Sequence, residues 1–465
     1  SCSYAFLPLI FKVISKNQMS LFNNRKFHYG KVWVAFLLVF LMSGTVFAQQ
    51  KKVFLSLQKA IETAIADNSS FQTAKIDEAI MGERLNQSNV AFLPQANFSY
   101  TSLFTNNPLN AFGFKLQQSI VKQEDFNPAL LNHPSGVSDF SAKIDVLQPI
   151  VNMDAVYMKK SIAVQLESYQ LKTERVLDYL TYEVQKAYYQ LQLTHQAVSV
   201  FEEALVAAKS FYDNTMNRFN EGLIQKSDLL NVEVQILDIE SQLNEAKSNI
   251  VNASDYLSVL MNQPTGTTYT TEKMFESLPN VELSRVIPLK RSDFLAMDKA
   301  IIASGIMMKS LKMKQLPRLN LFASYQLNNK KIFSFNANAY LAGIQLSWNL
   351  FDGNATRYQL NHMKLEQSKL QVQLQSMQLE NQMMLDKSFR DQGNALFRIK
   401  QQKAAIAQAE EAWRILQNRY QEGLVSITDI LNAQTQVSKQ KLLLAQAVCN
   451  NNIANANIEF LTKQK

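Results

Sequence analysis

The chain has 465 residues, of which 47% are hydrophobic and 18% are charged, with only 12 glycines and 10 prolines. This composition excludes a loop-rich or disordered protein and favours long regular elements. The formal net charge is +8, but residues 1–48 hold five basic and no acidic side chains, and the other residues carry 42 basic against 39 acidic ones. The basic excess therefore belongs mostly to the N-terminal segment and does not indicate nucleic-acid binding.

The segment that ends at Ala48 has the three parts of a secretory signal peptide. Starting from Met19, basic residues precede an apolar run of eleven residues, Val32–Met42, and Val46 and Ala48 supply the small residues that a signal peptidase reads. So short an apolar run does not span a membrane comfortably. We therefore expect residues 1–48 to be a pre-sequence and signal peptide, and the protein to be exported.

The first part of the exported chain is predicted to be a helix followed by two β-strands. The helix runs from Leu57 to about Ala91, with Ser56 as its N-cap. Polar and apolar residues then alternate in two segments, around Phe98–Phe104 and Phe140–Val146, and such alternation is typical of transmembrane strands. The stretch between these segments is expected to be a long loop, and Pro149 to end the second strand.

Two long helices with a coiled-coil seam are predicted next. From about Asp154 to Phe219 no residue breaks a helix, which at 1.5 Å per residue is roughly 100 Å long. The returning helix carries apolar residues at alternating three- and four-residue spacing, namely Leu229, Val232, Ile236, Ile239, Leu243, Ala246, Ile250, Ala253, Leu257 and Leu260. Heptads sustained over this length predict an antiparallel helical hairpin.

The second half of the chain repeats this order of elements. After a Thr-, Pro- and Gly-rich connector, Leu316-Pro317 matches Leu93-Pro94 ahead of two further alternating strands, and two long helices follow. We therefore predict two structural repeats, residues 49–262 and 291–465, joined by a linker at 263–290.

The two predicted hairpins share a tip sequence. Residues 217–231 and 418–432 align without a gap on the pattern Asn-Arg-aromatic-x-Glu-Gly-Leu. Gly222 and Gly423 are the expected left-handed helix stops. In the second copy, Asp429 follows a serine by three residues, which is the spacing of a capping box at the start of the next helix.

An open four-stranded sheet with one apolar face is not stable in a membrane, because hydrocarbon offers its edges no hydrogen-bond partner. The smallest membrane barrels have about eight strands, so several chains must contribute to one barrel. Helices of roughly 100 Å exceed a bilayer core of about 30 Å and must project from it. The predicted fold is therefore mainly α-helical with a small membrane β-sheet, and its assembly is a tube.

The tip pattern, the Leu-Pro before each first strand and Asp352-Gly353 after the fourth strand resemble the TolC-like outer membrane efflux proteins over residues 53–463. The resemblance implies a homotrimer whose twelve-stranded β-barrel in the cell outer membrane continues into a periplasmic α-helical barrel. It also implies that an inner-membrane pump and a periplasmic adaptor (membrane fusion) protein deliver small molecules or proteins to this exit duct, in efflux or type I secretion.

The same resemblance implies roles for several tip residues. Asp429 falls at the acidic constriction of the pore, where Asn432 replaces a second aspartate. Tyr420 matches an aromatic residue that latches the closed tip, with Asp228 as its acidic partner, while Val425 stands where an arginine latch is expected. The positions assigned to the latch or to adaptor docking are Asp228, Phe219, Tyr420, Gly222, Gly423 and Leu424.

The fourth strand supplies the expected lipid-facing belt. Ile344, Leu346 and Trp348 are assigned to lipid because only this alternate set is continuously apolar. Gln345 and Ser347 are then expected to line the lumen.

Other interpretations stay open for these residues and for the function. Asp429 has a purely structural alternative as a capping-box acid, and Tyr420 and Phe219 are better explained by packing inside the hairpin. The alternative function is an exported coiled-coil structural protein or adhesin without a pore. Detergent dependence on extraction separates the two functions.

No enzyme, cofactor or metal site is expected. His133, His195 and His362 lie far apart in the sequence and lack the spacing of metal ligands. The sequence has no Gly-rich phosphate loop, nucleophile elbow or paired catalytic constellation.

Overall fold

The computed structural model describes residues 52–276 and 284–464, so the predicted signal peptide lies outside the described residues. Within these ranges the chain forms long helices, a four-stranded sheet and a two-stranded sheet. The helices and strands are, in chain order, β1 (Lys52–Phe54), α1 (Leu57–Asp67), α2 (Ser69–Ser88), β2 (Gln95–Thr105), α3 (Pro108–Gln117), α4 (Pro128–Asn132), β3 (Val137–Val151), α5 (Met153–Asn220), α6 (Lys226–Leu260), β4 (Thr268–Thr270), α7 (Ser292–Met313), β5 (Arg318–Asn329), β6 (Ala337–Ser347), α8 (Ala355–Gln421) and α9 (Ile427–Thr462).

One order of elements occurs twice. A helix, two antiparallel strands, a very long helix and a returning helix follow one another as α2-β2-β3-α5-α6 and again as α7-β5-β6-α8-α9. The predicted fold class, mainly helical with a small sheet and a two-fold repeat, matches this order.

The first predicted helix is in fact two helices, because Asn68 ends one and starts the next. Its Oδ1 accepts a hydrogen bond from the N–H of Phe71 (3.1 Å), the N-cap arrangement of α2. Its Nδ2 donates to the carbonyl of Leu260 (2.8 Å), the last residue of α6. Ser56 caps α1 as predicted. The apolar spacing continues across the break, so periodicity does not reveal it.

The four predicted strands form one antiparallel sheet in the order β2-β3-β5-β6. Apolar residues meet across all four strands in the row Phe98, Ile144, Tyr325 and Tyr340. The next row, on the opposite side of the sheet, consists of Ser99, Lys143, Gln326 and Ala339. We name these two sides the apolar face and the polar face. The alternation in the sequence predicts both.

Two predictions about strands need correction. Pro149 does not end β3, which continues to Val151 because the pairing with β5 shifts register between these two residues. Such a bulge accommodates a residue that has no N–H to donate. In addition, the predicted linker contains β4, which pairs in parallel with β1 and places Val53 opposite Tyr269. Strands of three residues are too short to show a period.

The loop predicted between β2 and β3 contains the helices α3 and α4. Each helix begins with an Asn-Pro pair, in which the proline occupies the first turn. The Asn107 side chain accepts from the N–H of Asn110, and the Asn127 side chain accepts from the N–H of Ala129. Asn and Pro suggested a loop by composition, but here they start helices.

The longest helices, α5 and α8, contain 68 and 67 residues, or roughly 100 Å each. Most of the predicted seam of α6 is buried, at Leu229, Val232, Ile239, Leu243, Ala246, Ile250 and Leu257. The predicted helical hairpin is thus observed. Among the described residues, no helix combines the length and the apolar character needed to cross a membrane.

A buried charge network holds the end of α9 against α5 and α7. Arg291 is 1% exposed, contacts both carboxylate oxygens of Asp293 (2.9 and 2.5 Å) and donates to the carbonyl of Leu461 (3.1 Å). Arg175 donates to the carbonyl of Phe460 (2.9 Å). Burial, together with the charge of Arg291, lowers the pKa of Arg175 to about 10. The two arginines thus satisfy carbonyls at a helix C-terminus, which attracts cations.

Candidate functional site at the helical tips

Each hairpin tip is a short turn closed by a glycine. Gly222 lies between α5 and α6, and Gly423 lies between α8 and α9, both at φ +74°. The next residue, Leu223 or Leu424, donates its N–H to the carbonyl five residues back (2.9 Å in both tips). This is the hydrogen bond of a Schellman motif, and glycine adopts the required φ without strain.

The most exposed apolar side chains of the tips are Leu223 and Leu424, at 63% and 65%. They occupy the same position in the two copies of the tip sequence. Phe219, by contrast, is half-buried. Of these two leucines only Leu424 is among the predicted site residues, although the gapless alignment places Leu223 at the same position. Each tip therefore presents one leucine to its surroundings.

Asp429 is the capping-box acid of α9. Its Oδ2 accepts from the N–H of Ser426 (3.1 Å) and from the Ser426 hydroxyl (2.7 Å), and Ser426 Oγ accepts from the N–H of Asp429 (3.2 Å). The hydrogen bond from the hydroxyl, followed by that from the backbone, lowers the pKa of Asp429. The carboxylate is therefore ionised at neutral pH, and it is exposed.

Asp429 and Asn432 share the exposed side of the first turns of α9. Ile427, Ile430 and Leu431 face the protein and are buried, whereas Asp429 and Asn432 are exposed. Residues three apart on a helix are neighbours on its surface. The two residues predicted to form the pore constriction are thus adjacent on one polar surface.

Arg218 links the first tip to the second. Its Nη1 donates to the carbonyl of Tyr420 (2.9 Å), and its Nη2 donates to the carbonyl of Gln421 (3.3 Å). The guanidinium also lies over the Tyr420 ring, 4.7 Å from the ring centroid. Both carbonyls belong to the last turn of α8, where unpaired acceptors and the helix dipole attract a cation. Arg218 therefore pins the end of α8 to the end of α5.

Nothing local in the sequence singles out Arg218, although it belongs to the repeated Asn-Arg-aromatic pattern. Its counterpart in the second copy, Arg419, is exposed and makes no side-chain hydrogen bond to any described residue. The repeat thus indicates that the position matters, but only the fold shows which copy has a partner.

Tyr420 is buried in an apolar cluster with Val232, Ile427, Ile430 and Leu431. Its ring centroid lies 5.5 Å from that of Phe211. Tyr420 and Asp228, which the resemblance pairs at the latch, make no hydrogen bond to each other within the described chain. The Tyr420 hydroxyl has no partner among the described residues, and Asp228 Oδ2 instead accepts from the N–H of Gln225 (3.3 Å). Tyr420 therefore packs both within its own hairpin and against the first one, through Phe211 and Val232.

The predicted lipid-facing residues lie at the other end of α8, roughly 100 Å from the tip by helix length. Ile344 and Leu346 are opposite leucines of β5 on the apolar face and are 67% and 66% exposed. Trp348 follows the end of β6, and its Nε1 donates to the carbonyl of Gln315 (2.8 Å). An exposed indole ring with a satisfied N–H is typical of a membrane interface.

The remaining candidate side chains have structural contacts. His195 Nε2 lies 2.8 Å from the carbonyl oxygen of Tyr269. Cys449 is buried, and burial raises the pKa of its thiol to about 12. Across residues 52–276 and 284–464, no group of three or more His, Cys, Asp or Glu side chains is placed to hold a metal ion.

The chain thus combines long helical hairpins, a two-faced sheet and two copies of one tip. A sequence profile of the family described as "Outer membrane efflux protein" matches residues 60–263 and 290–462, which is most of the chain. The chain therefore belongs to the outer membrane efflux protein family, and it is located in the outer membrane.

Similar proteins agree with this membership. Outer membrane protein TolC of Escherichia coli (strain K12) is 21% identical over 436 residues, which cover 87% of this chain and 81% of TolC. The structure of CusC matches with a TM-score of 0.75 at 13% identity, over 90% of this chain and 96% of CusC. The CmeC outer membrane channel of Campylobacter jejuni gives 0.72 at 15% identity, over 87% and 85%. The predicted family, fold class and location are confirmed.

Proposed function

We propose that three copies of this chain form the outer-membrane exit duct of a tripartite efflux pump or type I secretion system. The observation that carries the proposal is the four-stranded sheet with one apolar face, whose edge strands β2 and β6 have no further partner in the described part of the chain. Hydrocarbon leaves such edges unsatisfied, so other chains must pair with them. Three sheets give a closed barrel of twelve strands, within the range of outer membrane barrels.

The direction of the strands supports a tube that continues on one side of the membrane. β3 and β6 run the same way in the sheet, and each leads into a very long helix, α5 or α8. Helices of roughly 100 Å cannot lie within a bilayer core of about 30 Å, so they project into the periplasm. The β2–β3 and β5–β6 connections then face the cell exterior. In this arrangement residues 49–262 and 291–465 are the two repeats, and residues 263–290 are the linker between them.

The pore constriction is assigned to Asp429 and Asn432 at the tips. In a symmetric trimer each residue recurs around the axis, so one carboxylate per chain becomes a ring of negative charge that favours cations. The exposed position and the lowered pKa of Asp429 support this role. The capping box occupies one carboxylate oxygen, Oδ2, so the same residue can cap α9 and line the pore.

Closure of the tips is assigned to Arg218 and to the packing of Tyr420, with Phe219 beside them. Asp228 contributes as the capping acid of α6 rather than as the partner of Tyr420. The exposed leucines that follow Gly222 and Gly423 are proposed to dock the periplasmic adaptor, because each rigid turn presents an apolar side chain at a fixed position.

A second candidate, an exported coiled-coil structural protein or adhesin, accounts for the long hairpins alone. It gives no reason for an apolar sheet face with exposed Ile344 and Leu346 at the point where both long helices begin. Family membership also favours the channel. The proposed role is conduction, without a catalysed reaction.

Cross-linking of the detergent-extracted protein tests the trimer, and planar-bilayer recordings test the pore. We expect one discrete species of three chains that conducts ions. Arg218 is assigned to closure of the tips, so the wild-type channel can be closed in such recordings. They should therefore also include Arg218→Ala, in which this link is removed. A detergent-free monomer, or a trimer that conducts in neither form, would end the proposal.

A further inference from the structure

The helix α3 lies against the polar face of the sheet at its loop end. It contacts β3 and β6, which are separated in the sheet by β5. Five buried residues at this end lie on the polar face by register, namely Val137, Asp139, Ser141, Asn328 and Ala337. On the apolar face at the same end, Phe104 is 75% exposed. α3 therefore packs on the polar face of the sheet at this end, on the side opposite Phe104.

A chain of buried hydrogen bonds fixes α3 in this position. Gln118, directly after α3, donates from Nε2 to the carbonyl of Ser138 and to Oδ1 of Asp139, both at 2.8 Å. Asp139 Oδ2 accepts from Nδ2 of Asn328 on β5 (2.9 Å). Gln118, Asp139 and Asn328 are 4%, 2% and 2% exposed. The chain of bonds runs from Gln118 through Asp139 of β3 to Asn328 of β5, so it ties α3 to two strands. Hydrogen bonds to a buried carboxylate are stronger than those between neutral groups.

Small side chains are buried both on α3 and on a strand that it contacts. Ala111, in the middle of α3, is fully buried, and Ala337 at the start of β6 is 5% exposed. α3 is therefore packed on the sheet as well as hydrogen-bonded to it.

We infer that α3 and Gln118 form an outer lid, a second constriction of the channel at its extracellular end. The inference rests on the proposed function, in which the polar face lines the lumen. Twelve strands about 4.8 Å apart and tilted by about 40° enclose a barrel of roughly 24 Å backbone diameter. A helix with its side chains is about 10 Å across, so three copies of α3 fill most of the mouth.

The lid can be tested separately from the tips, by the access of external reagents to a cysteine placed between the two constrictions. The reporter is Ser324→Cys, on the polar face of β5 opposite Asp145, in a background without Cys2 and Cys449. Intact cells are treated with a small impermeant maleimide or with a bulky polyethylene-glycol maleimide. We expect the small reagent to label the reporter and the bulky one to label it slowly.

Loosening the lid should admit the bulky reagent. Gln118→Ala should raise its labelling rate about tenfold, the change expected from losing one or two net hydrogen bonds of the closed state. Asn328→Ala interrupts the same chain of bonds from the strand side and should give the same gain. Gln117→Ala is the matched control, because Gln117 is exposed and adjacent to Gln118, and it should leave the rate unchanged.

A second reporter separates failure of the lid from failure of the tube. Ala323→Cys lies on the apolar face of β5, opposite Ala342 of β6, and should be protected by lipid. If it reacts with the small reagent as fast as Ser324→Cys, the assignment of faces fails, and the proposed tube fails with it. If the faces behave as assigned but the bulky reagent labels Ser324→Cys equally fast with Gln118 intact and in Gln118→Ala, the lid alone is refuted.

Discussion

Replacing Arg218 by alanine removes the link between the end of α5 and the last turn of α8. A well-formed hydrogen bond from a charged donor contributes about 1.5 kcal/mol at the low end of its range. The bond to the Tyr420 carbonyl, at 2.9 Å, is of this kind, whereas the bond to Gln421, at 3.3 Å, is weaker. Stacking over the Tyr420 ring adds about 0.5 kcal/mol at a half-exposed site. The sum of about 2 kcal/mol corresponds to a roughly 30-fold shift in the equilibrium between docked and undocked tips.

Planar-bilayer recordings and hydrogen exchange measure this shift. Arg218→Ala should raise the open probability of the channel and increase amide exchange in the last turn of α8, with the trimer intact. Arg218→Lys should fall between the wild type and Arg218→Ala, because a single ammonium cannot reach two carbonyls in the geometry of a guanidinium.

The matched control is Arg419→Ala, which changes the equivalent residue of the second copy. Arg419 is exposed and has no side-chain hydrogen bond within the described ranges, so its replacement should alter neither conductance nor exchange. Equal effects of Arg218→Ala and Arg419→Ala would mean that loss of a surface charge, and not loss of the link, controls the tips. No effect of either change would refute the assignment of Arg218 to closure.

Three further predictions concern the pore, the lipid belt and the dependence of stability on pH. Asp429→Ala should weaken cation selectivity in planar bilayers and leave the trimer folded; unchanged selectivity with a lower melting temperature would leave capping as its only role. Leu346→Lys should destabilise the trimer by roughly 2–4 kcal/mol and Ser347→Lys much less, measured by trimer dissociation on heating in gels; equal effects would reverse the assignment of faces. Burial raises the pKa of Asp293, but the hydrogen bonds and charge of Arg291, with Arg175, outweigh it and hold the pKa below its ordinary value. Its stabilising contribution is therefore complete above the unfolded-state pKa and is lost as the pH falls through the folded-state pKa, so Asp293→Asn should lower the melting temperature at neutral pH more than in acid.

The sequence predicts those parts of the fold in which local pattern and tertiary environment agree. The seam of α6 shows a helical period because one side of the helix is buried along its length. The strand residues alternate because the sheet has two different faces, and Gly222 and Gly423 mark turns that need a positive φ. Each of these signals lies within a few residues of the feature it predicts.

The parts that the sequence does not predict depend on partners far away in the chain. Arg218 and the Tyr420 carbonyl are 202 residues apart, and β1 pairs with β4 across an even longer separation. Asn68 breaks the first helix because its side chain donates a hydrogen bond to the carbonyl of Leu260 at the end of α6. A break of one residue leaves the apolar spacing intact. The sequence does not show which residues meet in space, so it gives no reason to rank Arg218 above Arg419.

The two ends of the proposed channel share one energetic arrangement. At the tips, the Tyr420 hydroxyl and Trp413 Nε1 are buried without a hydrogen-bond partner among the described residues, and at the lid the same is true of Gln118 Oε1. A buried polar group without a partner costs about 1–3 kcal/mol, a cost that disappears when the group reaches water. In the proposed channel each end is held by a few polar bonds, from Arg218 at the tips and from Gln118 at the lid. Because so few bonds hold each end, a modest interaction with a docked partner or a passing substrate that favours the open state is enough to change which state that end prefers.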